Sequence, residues 1–375
     1  DVAQIGNYYE LRNEKVSDYD FEPLSVTMKG IVPQLATAAK SDDHSNRKLV
    51  KKGDFVINSR SDRRGSCGIS PLDGSVSLIN TVMEPRGEMN PQYYNWLFHT
   101  EQFADEFYKW GHGIVDDLWT TRWQEMKKIL IVAPSPDEQQ AIADYLDETC
   151  SKIDEIIAEA KASIDEYKEL KQSIIFEAVT KGLDKNVDMR DSGVEWIGAI
   201  PKTWDVLSLK YMCTMQAGKN LISEQIADSG KYSVYGGNGL RGYYSSYNTE
   251  GRHLLVGRQG ALCGNVHDVD GQYWCTEHAI VTTETKFSDI DYLFYLLIGM
   301  NLNQYASNAA AQPGLSVGNI LNVKTVKPSM DEQKEIATYL KNILPKYNSL
   351  ITEKESLIND LEAYKKSLIY EVVTG

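Results

Sequence analysis

The strongest constraint on this chain is that one stretch of it occurs twice. Pro134-Ser135-Pro136-Asp137-Glu138-Gln139 opens the first copy, which runs to Thr180. Pro328-Ser329-Met330-Asp331-Glu332-Gln333 opens the second, which runs to Thr374. The offset is 194 throughout, so the copies align without a gap. Identities recur along both: Ile142-Ala143 over Ile336-Ala337, Tyr145-Leu146 over Tyr339-Leu340, and Glu177, Val179 and Thr180 over Glu371, Val373 and Thr374. A repeat at fixed spacing divides a chain before any local reading can. Here it leaves two large blocks, 1–133 and 183–327, each followed by the same segment, 134–182 and 328–375.

Each repeat reads as one long amphipathic helix. Ser135 and Glu138 form an S-x-x-E capping box with Pro136 in the first turn. Leu146, Cys150, Ile153, Ile157, Ala160, Ile164, Tyr167, Lys171, Ile174 and Ala178 then follow alternating steps of four and three, a heptad seam. Leu340, Leu344, Tyr347, Ile351, Lys354, Ile358, Leu361, Lys365, Leu368 and Val372 repeat it, with Pro345 expected to break or kink the helix. About 44 helical residues extend roughly 65 Å, too long to bury in either block. Two matched seams predict an intramolecular coiled coil; the competing arrangement packs each helix on its own block.

A chain of 375 residues exceeds what one core usually serves. No run of about eighteen apolar residues occurs, so no membrane span is expected, and no basic-apolar-small leader opens the chain. Five irregularly spaced cysteines suit reduced thiols in a cytoplasm better than a disulfide framework. The net charge of −14 is unpromising for a nucleic-acid binder until it is divided. Residues 134–182 carry −7 of it, against −3 for 1–133, −2 for 183–327 and −2 for 328–375. The acidity sits on the first repeat helix, and the blocks have room for basic faces.

Both blocks read as mixed α/β in the same order of strand, turn, strand, helix, strand. In the first, Asp54–Asn58, Ser77–Val82 and Lys127–Val132 read as strands and Asn90–Tyr108 as a helix. In the second, Leu254–Val256 and Ala279–Thr283 read as strands, Tyr292–Tyr305 as a helix and Leu321–Val326 as a final strand. Two pairs align the blocks: Arg60 with Arg258, and Cys67-Gly68 with Cys263-Gly264.

Three motifs are set aside. Gly237-Asn238-Gly239-Leu240-Arg241-Gly242 fits G-x-G-x-x-G, but no helix opens on it, so a loop presenting Asn238 and Arg241 is expected instead of a dinucleotide site. Asn90-Pro91-Gln92-Tyr93 is similar to the N-P-P-Y loop of adenine methyltransferases, but a helix N-terminus explains it. Cys263, His267, Cys275 and His278 make a zinc set on paper, but two of them lie in strand-like sequence and no C-x-x-C pair exists. No metal site or catalytic constellation is expected, which favours recognition over catalysis.

The doubled P-S-x-D-E-Q-x-x-I-A-x-Y-L openings at 134 and 328 resemble the specificity subunits of type I restriction–modification systems. So do Glu195-Trp196-Ile197-Gly198, Ile200-Pro201 and Trp204, and the run Tyr235–Tyr243. The resemblance covers nearly the whole chain. One departure is that the first block lacks its own Glu-Trp-Ile-Gly lead-in; aligning Asp1-Val2-Ala3 near Tyr211-Met212-Cys213 implies that the N-terminal edge of that domain is missing or supplied otherwise.

The resemblance implies an α+β chain: two mixed α/β target recognition domains (1–133 and 183–327) separated by two long helices (134–182 and 328–375) that form an antiparallel coiled coil. The chain would be a non-catalytic, cytoplasmic DNA-specificity subunit of a bacterial or archaeal host-defence complex. It would read an asymmetric, bipartite site on double-stranded DNA. Its helices would dock two methyltransferase subunits, with restriction subunits as further partners. S-adenosylmethionine, and ATP with magnesium for restriction, would sit on those partners and no cofactor on this chain. The remaining readings are a two-headed coiled-coil adaptor for proteins and a specificity subunit of a type IIB-like system.

Arg and Lys match guanine edges, and Asn and Gln match adenine. The expected DNA contacts in the first block are Arg60, Arg63 and Arg64 on one turn, with Lys51 and Lys52 on phosphates. In the second they are Asn238, Arg241, Arg258, Gln259 and Gln312. The repeated Glu138, Gln139 and Tyr145, with Glu332, Gln333 and Tyr339, are the expected docking residues for the partner subunits.

Overall fold

In a computed structural model, described for residues 1–37, 44–60, 63–113, 119–260, 263–306 and 314–375, each repeat is a single helix. Seven α-helices occur among these residues: α1 (Pro91–Phe98), α2 (Glu101–Lys109), α3 (Trp123–Met126), α4 (Pro136–Lys181), α5 (Ile290–Gly299), α6 (Val317–Asn322) and α7 (Met330–Thr374). The chain divides into two units, Asp1–Lys161 with Ser356–Gly375, and Ala162–Glu355. Each unit therefore holds one block, the opening half of the helix that follows it, and the closing half of the other helix.

That exchange makes the helix pair antiparallel. In the first unit the start of α4 meets the end of α7, where Lys365 binds Asp154 at 2.6 Å and Lys161 faces Glu362 at 3.8 Å. In the second unit the end of α4 meets the start of α7, with the Tyr167 and Tyr347 rings 6.3 Å apart. The heptad seam is the buried face. Leu146, Cys150, Ile153, Ile157, Ala160 and Ile164 are all buried, as are Leu340, Leu344, Ile351, Ile358 and Leu368. The basic interruptions are accommodated by partners on the opposite helix: Lys365 by Asp154 and Lys171 by Asn348.

Pro345 does not break α7, which is continuous from Met330 to Thr374. Proline removes one N–H and crowds the preceding turn. Pro345 lies on the exposed side of the helix, where water can serve the Lys341 carbonyl.

The blocks share a four-stranded antiparallel sheet. In the first its order is Tyr9–Leu11, Asn80–Pro85, Phe55–Asn58, Cys67–Ile69; in the second it is Cys213–Ala217, Ala279–Glu284, His253–Gly257, Val266–Val269. Phe55–Asn58 is buried along its whole length, which is why it reads as an unbroken apolar run rather than an alternating one. A short strand pair brings each block to its repeat helix: Val2–Gln4 with Leu130–Val132, and Asp205–Ser208 with Lys324–Lys327.

The register of those pairs corrects the alignment of the N-terminus. Val2 faces Val132 and Val206 faces Val326, so Asp1-Val2 corresponds to Asp205-Val206, not to Tyr211–Cys213. The helical readings are also refined. Residues 90–108 form two helices because Thr100 caps α2, its Oγ1 accepting from the Phe103 N–H. The helix read over Tyr292–Tyr305 ends at Gly299, and Asn301 adopts a left-handed conformation (φ 46°) before a short 3-10 turn. Leu321 lies in α6, and the last strand begins at Lys324.

Candidate nucleic-acid interface and helix clasps

The Glu and Gln of the repeated Asp-Glu-Gln build a clasp. Each Glu closes its capping box: Glu138 Oε2 accepts from the Ser135 N–H and hydroxyl, both at 2.9 Å, and Glu332 Oε2 does the same with Ser329 at 3.0 and 2.7 Å. Each Gln is buried. Gln139 Oε1 accepts from the Asn90 N–H at 2.8 Å while its Nε2 donates to the Pro134 carbonyl and the Tyr94 hydroxyl. Gln333 Oε1 accepts from the Asp289 N–H at 2.8 Å while its Nε2 donates to the Phe287 and Pro328 carbonyls. Asn90 and Asp289 are the capping residues of α1 and α5. The Gln thus ties the first turn of each repeat helix to the first turn of the helix in its own block. Buried in this way, Gln139 and Gln333 are not available as docking residues, which corrects that expectation. Glu332 is also partly covered, because its Oε1 accepts from Trp204 Nε1 at 3.1 Å. Tyr145 and Tyr339 remain, 48% and 42% exposed at equivalent positions.

A second clasp carried no sequence motif. Tyr93 in α1 donates its hydroxyl to the Val373 carbonyl at 3.0 Å, and Tyr292 in α5 donates to the Val179 carbonyl at 3.1 Å. Each block helix is thereby fixed both to the start of its own repeat helix and to the end of the other. The only signal in the sequence was the identity of Val179-Thr180 with Val373-Thr374.

The strand ladders correct the pairing between blocks. Ser59 N–H donates to Ile79 O and Arg258 N–H to His278 O, while Thr121 N–H donates to Ser59 O and Leu315 N–H to Arg258 O. Ser59 is therefore the counterpart of Arg258, and Arg60 that of Gln259. Likewise Ile57 faces Cys67 and Val256 faces Val266, so Cys67 matches Val266 and not Cys263. A shift of one residue moves a side chain to the other face of a sheet, so residue type alone aligned these turns wrongly.

In the first block the basic residues lie at the two ends of one strand. Arg60, Arg63 and Arg64 follow strand Phe55–Asn58, whereas Lys51 and Lys52 precede it, at its other end. Arg63 and Arg64 are exposed. Arg64 is paired with Asp105 and sits 5.9 Å from the Tyr108 ring centre. The Arg60 carbonyl accepts from the Tyr108 hydroxyl at 3.0 Å, which fixes the backbone of the turn.

In the second block the structure does gather the expected residues. Gly237-Asn238 is the turn between antiparallel strands Tyr232–Gly236 and Gly239–Tyr244, as the failed dinucleotide motif suggested. A β-carbon on Gly237 would lie 2.9 Å from His278 O and 3.3 Å from Gln259 O, so only glycine lets the hairpin rest on the Arg258–Gln259 turn. Asn238, Arg241 and Gln259 are exposed and Arg258 is half-exposed. Arg258 Nη1 points to the Glu277 carbonyl at 3.4 Å, and Gln259 Oε1 is 2.9 Å from His278 Nδ1. Sequence reasoning missed His278 as a member of this group. Gln312 lies outside the described residues.

The four residues of the zinc set do not converge, and no group of metal-binding side chains occurs among the described residues. The Cys263 thiol donates to Arg258 O at 3.2 Å, and burial pushes the Cys275 thiol up to about 12.

Residues 201–360 match the family described as type I restriction modification DNA specificity domain. A 140-residue stretch is 45% identical to the EcoprrI specificity subunit of Escherichia coli; it makes up 36% of this chain and spans only about a third (34%) of that relative's length. Over its whole length the chain is 24% identical to the MjaVIII specificity subunit of Methanocaldococcus jannaschii, covering 92% of it. The fold is similar to that of a solved chain described under complex assembly and conformational transition of the type I R-M system, with TM-score 0.76 at 14% identity, covering all of this chain and 97% of that one. It is also similar to the HsdS subunit from Thermoanaerobacter tengcongensis, with TM-score 0.52 at 15% identity, covering all of this chain and 96% of that one. Residues 201–360 thus match the type I restriction modification DNA specificity domain, and over its whole length the chain is similar in sequence and in fold to specificity subunits of type I restriction–modification systems.

Proposed function

We propose that this chain is the non-catalytic DNA-specificity subunit of a type I restriction–modification complex. Each block reads one half of a bipartite, asymmetric site on double-stranded DNA. The observation that carries this reading is the doubled unit: the same sheet order and the same two clasps recur, while the turns that would face DNA differ in sequence. A shared frame suits two copies of one partner, and divergent turns suit two different half-sites.

Asn238, Arg241, Arg258 and Gln259 are the base-reading group of the second block, joined by His278. In the first block Arg60, Arg63 and Arg64 take that role, and Lys51 and Lys52 contact phosphate at a separate place. Gln312 is retained as a contact in the second block. Two methyltransferase subunits dock through the exposed, equivalent Tyr145 and Tyr339, with Glu138 and Glu332 beside them. Those subunits bring S-adenosylmethionine, and restriction subunits bring ATP chemistry. The complex works in the cytoplasm, where its DNA is; among the described residues no helix is long and apolar enough to cross a membrane.

The helices act as the ruler between half-sites, which on one face of B-DNA repeat at roughly 34 Å. Lengthening α4 and α7 together by one heptad adds about 10 Å of helix. The methylated motif is then expected to keep both half-sites and change only the spacer. A changed half-site sequence with an unchanged spacer contradicts the ruler.

A further inference from the structure

In the second unit a cleft of about 450 Å³ opens between α5, the end of α4 and the start of α7. Phe294, Ile298 and Leu344 give it an apolar lining, and Lys168, Lys171 and Lys341 also line it. Lys168 and Lys341 are exposed, and Lys171 is half-buried with its ammonium held by Asn348. No ion pair with any of the three occurs among the described residues. Burial, and then the like charge of Lys168, hold Lys171 below the ordinary lysine range.

The first unit shows that this charge is not required by the fold. Across the repeat offset, Lys341, Asn348 and Lys168 stand where the first unit has Asp147, Asp154 and Glu362. There the carboxylates are satisfied from within: Asp147 accepts from Trp96 Nε1 at 2.7 Å, Asp154 binds Lys365 at 2.6 Å and Glu362 faces Lys161 at 3.8 Å. One scaffold thus carries acidic side chains satisfied from within in one unit and, in the other, three lysines with no ion pair among the described residues. Like charges gathered around a cleft repel one another and attract an anion.

We propose that this cleft binds an acidic segment of a partner protein, one copy per chain, with an apolar side chain of that segment seated on Phe294, Ile298 and Leu344. A peptide fits better than a nucleic-acid backbone because phosphates have no use for the apolar lining. Pro345 offers no N–H to the Lys341 carbonyl, which leaves an acceptor in the wall for an incoming backbone N–H. The proposal goes beyond the docking of two identical subunits, since the equivalent face of the first unit has the opposite charge.

The full chain should be titrated with a fluorescent synthetic peptide in which Asp and Glu flank Leu and Phe. A second peptide with Asn and Gln in their place and a duplex DNA of unrelated sequence serve as controls. The expected result is one peptide per chain, weakened about tenfold by the double substitution Lys168→Glu with Lys341→Glu and by added salt, with thermal unfolding unchanged. Lys168→Gln with Lys341→Gln gives the same direction of effect without charge reversal. No binding, two peptides per chain, equal binding of the Asn/Gln peptide, or indifference to both double substitutions overturns the proposal. So does displacement of the peptide by the DNA, which would make the cleft a nucleic-acid surface.

Discussion

Replacing Gln333 by leucine is expected to destabilise the second unit by about 4 kcal/mol, because it orphans several buried groups at once. Gln333 is fully buried, and its amide answers the Asp289 N–H, the Phe287 carbonyl and the Pro328 carbonyl. Leucine fills a similar space and serves none of them. Each polar group left buried without a partner costs about 1–3 kcal/mol. Gln139→Leu is expected to act in the same way on the first unit, through the Asn90 N–H, the Pro134 carbonyl and the Tyr94 hydroxyl. Tyr339→Ala removes an exposed side chain and is expected to change stability by less than about 0.5 kcal/mol. Urea unfolding of the three variants separates the roles. If Gln333→Leu leaves stability unchanged and weakens only subunit association, Gln333 is a docking residue after all.

The second large effect is expected at Trp204. Its indole is 2% exposed, lies over Gly182 at the end of α4, and donates to Glu332 at the start of α7. Gly182 has a φ of +76°, and a β-carbon there would come within 3.1 Å of the ring. One side chain therefore joins the end of one repeat helix to the beginning of the other within the second unit. Trp204→Ala is expected to cost about 4 kcal/mol, from the apolar area lost and the cavity left. Trp204→Phe keeps much of the packing but not the donor, and is expected to cost about 2 kcal/mol. Equal, small losses in urea titrations of both variants would show that the indole is peripheral to this core.

The parts of the fold most legible in the sequence were those with a period. The seam of α4 and α7 was readable because a helix that buries one face must repeat its apolar residues every three or four positions. Phe55–Asn58 and Ala279–Glu284 were readable because strands buried in a sheet keep β-branched and aromatic residues together. The fine alignment of the blocks was not readable. Arg60 and Arg258 follow similar strands, but ladder hydrogen bonds decide register, and they equate Arg60 with Gln259. The role of the repeated Gln was hidden for a different reason: a repeated polar residue next to a capping box looks like surface until its partners are known. The gathering of Asn238, Arg241, Arg258, Gln259 and His278 depends on a glycine-only approach of backbones distant in sequence, which no local pattern announces. Pro345 misled because proline's cost in a helix depends on whether the deprived carbonyl faces water.

The proposed function is that two blocks of different specificity, held in one chain by a doubled helical frame, read the two halves of one site. It is tested most directly by co-expressing the chain with a methyltransferase subunit and mapping methylated adenines across the host genome. The expected map is a single motif of two unlike half-sites separated by a spacer of fixed length. In the Arg258→Ala variant, selection should relax at one base of one half-site and leave the other half intact. A single contiguous motif, or a uniform loss of methylation in that variant with no change of sequence preference, would contradict this account.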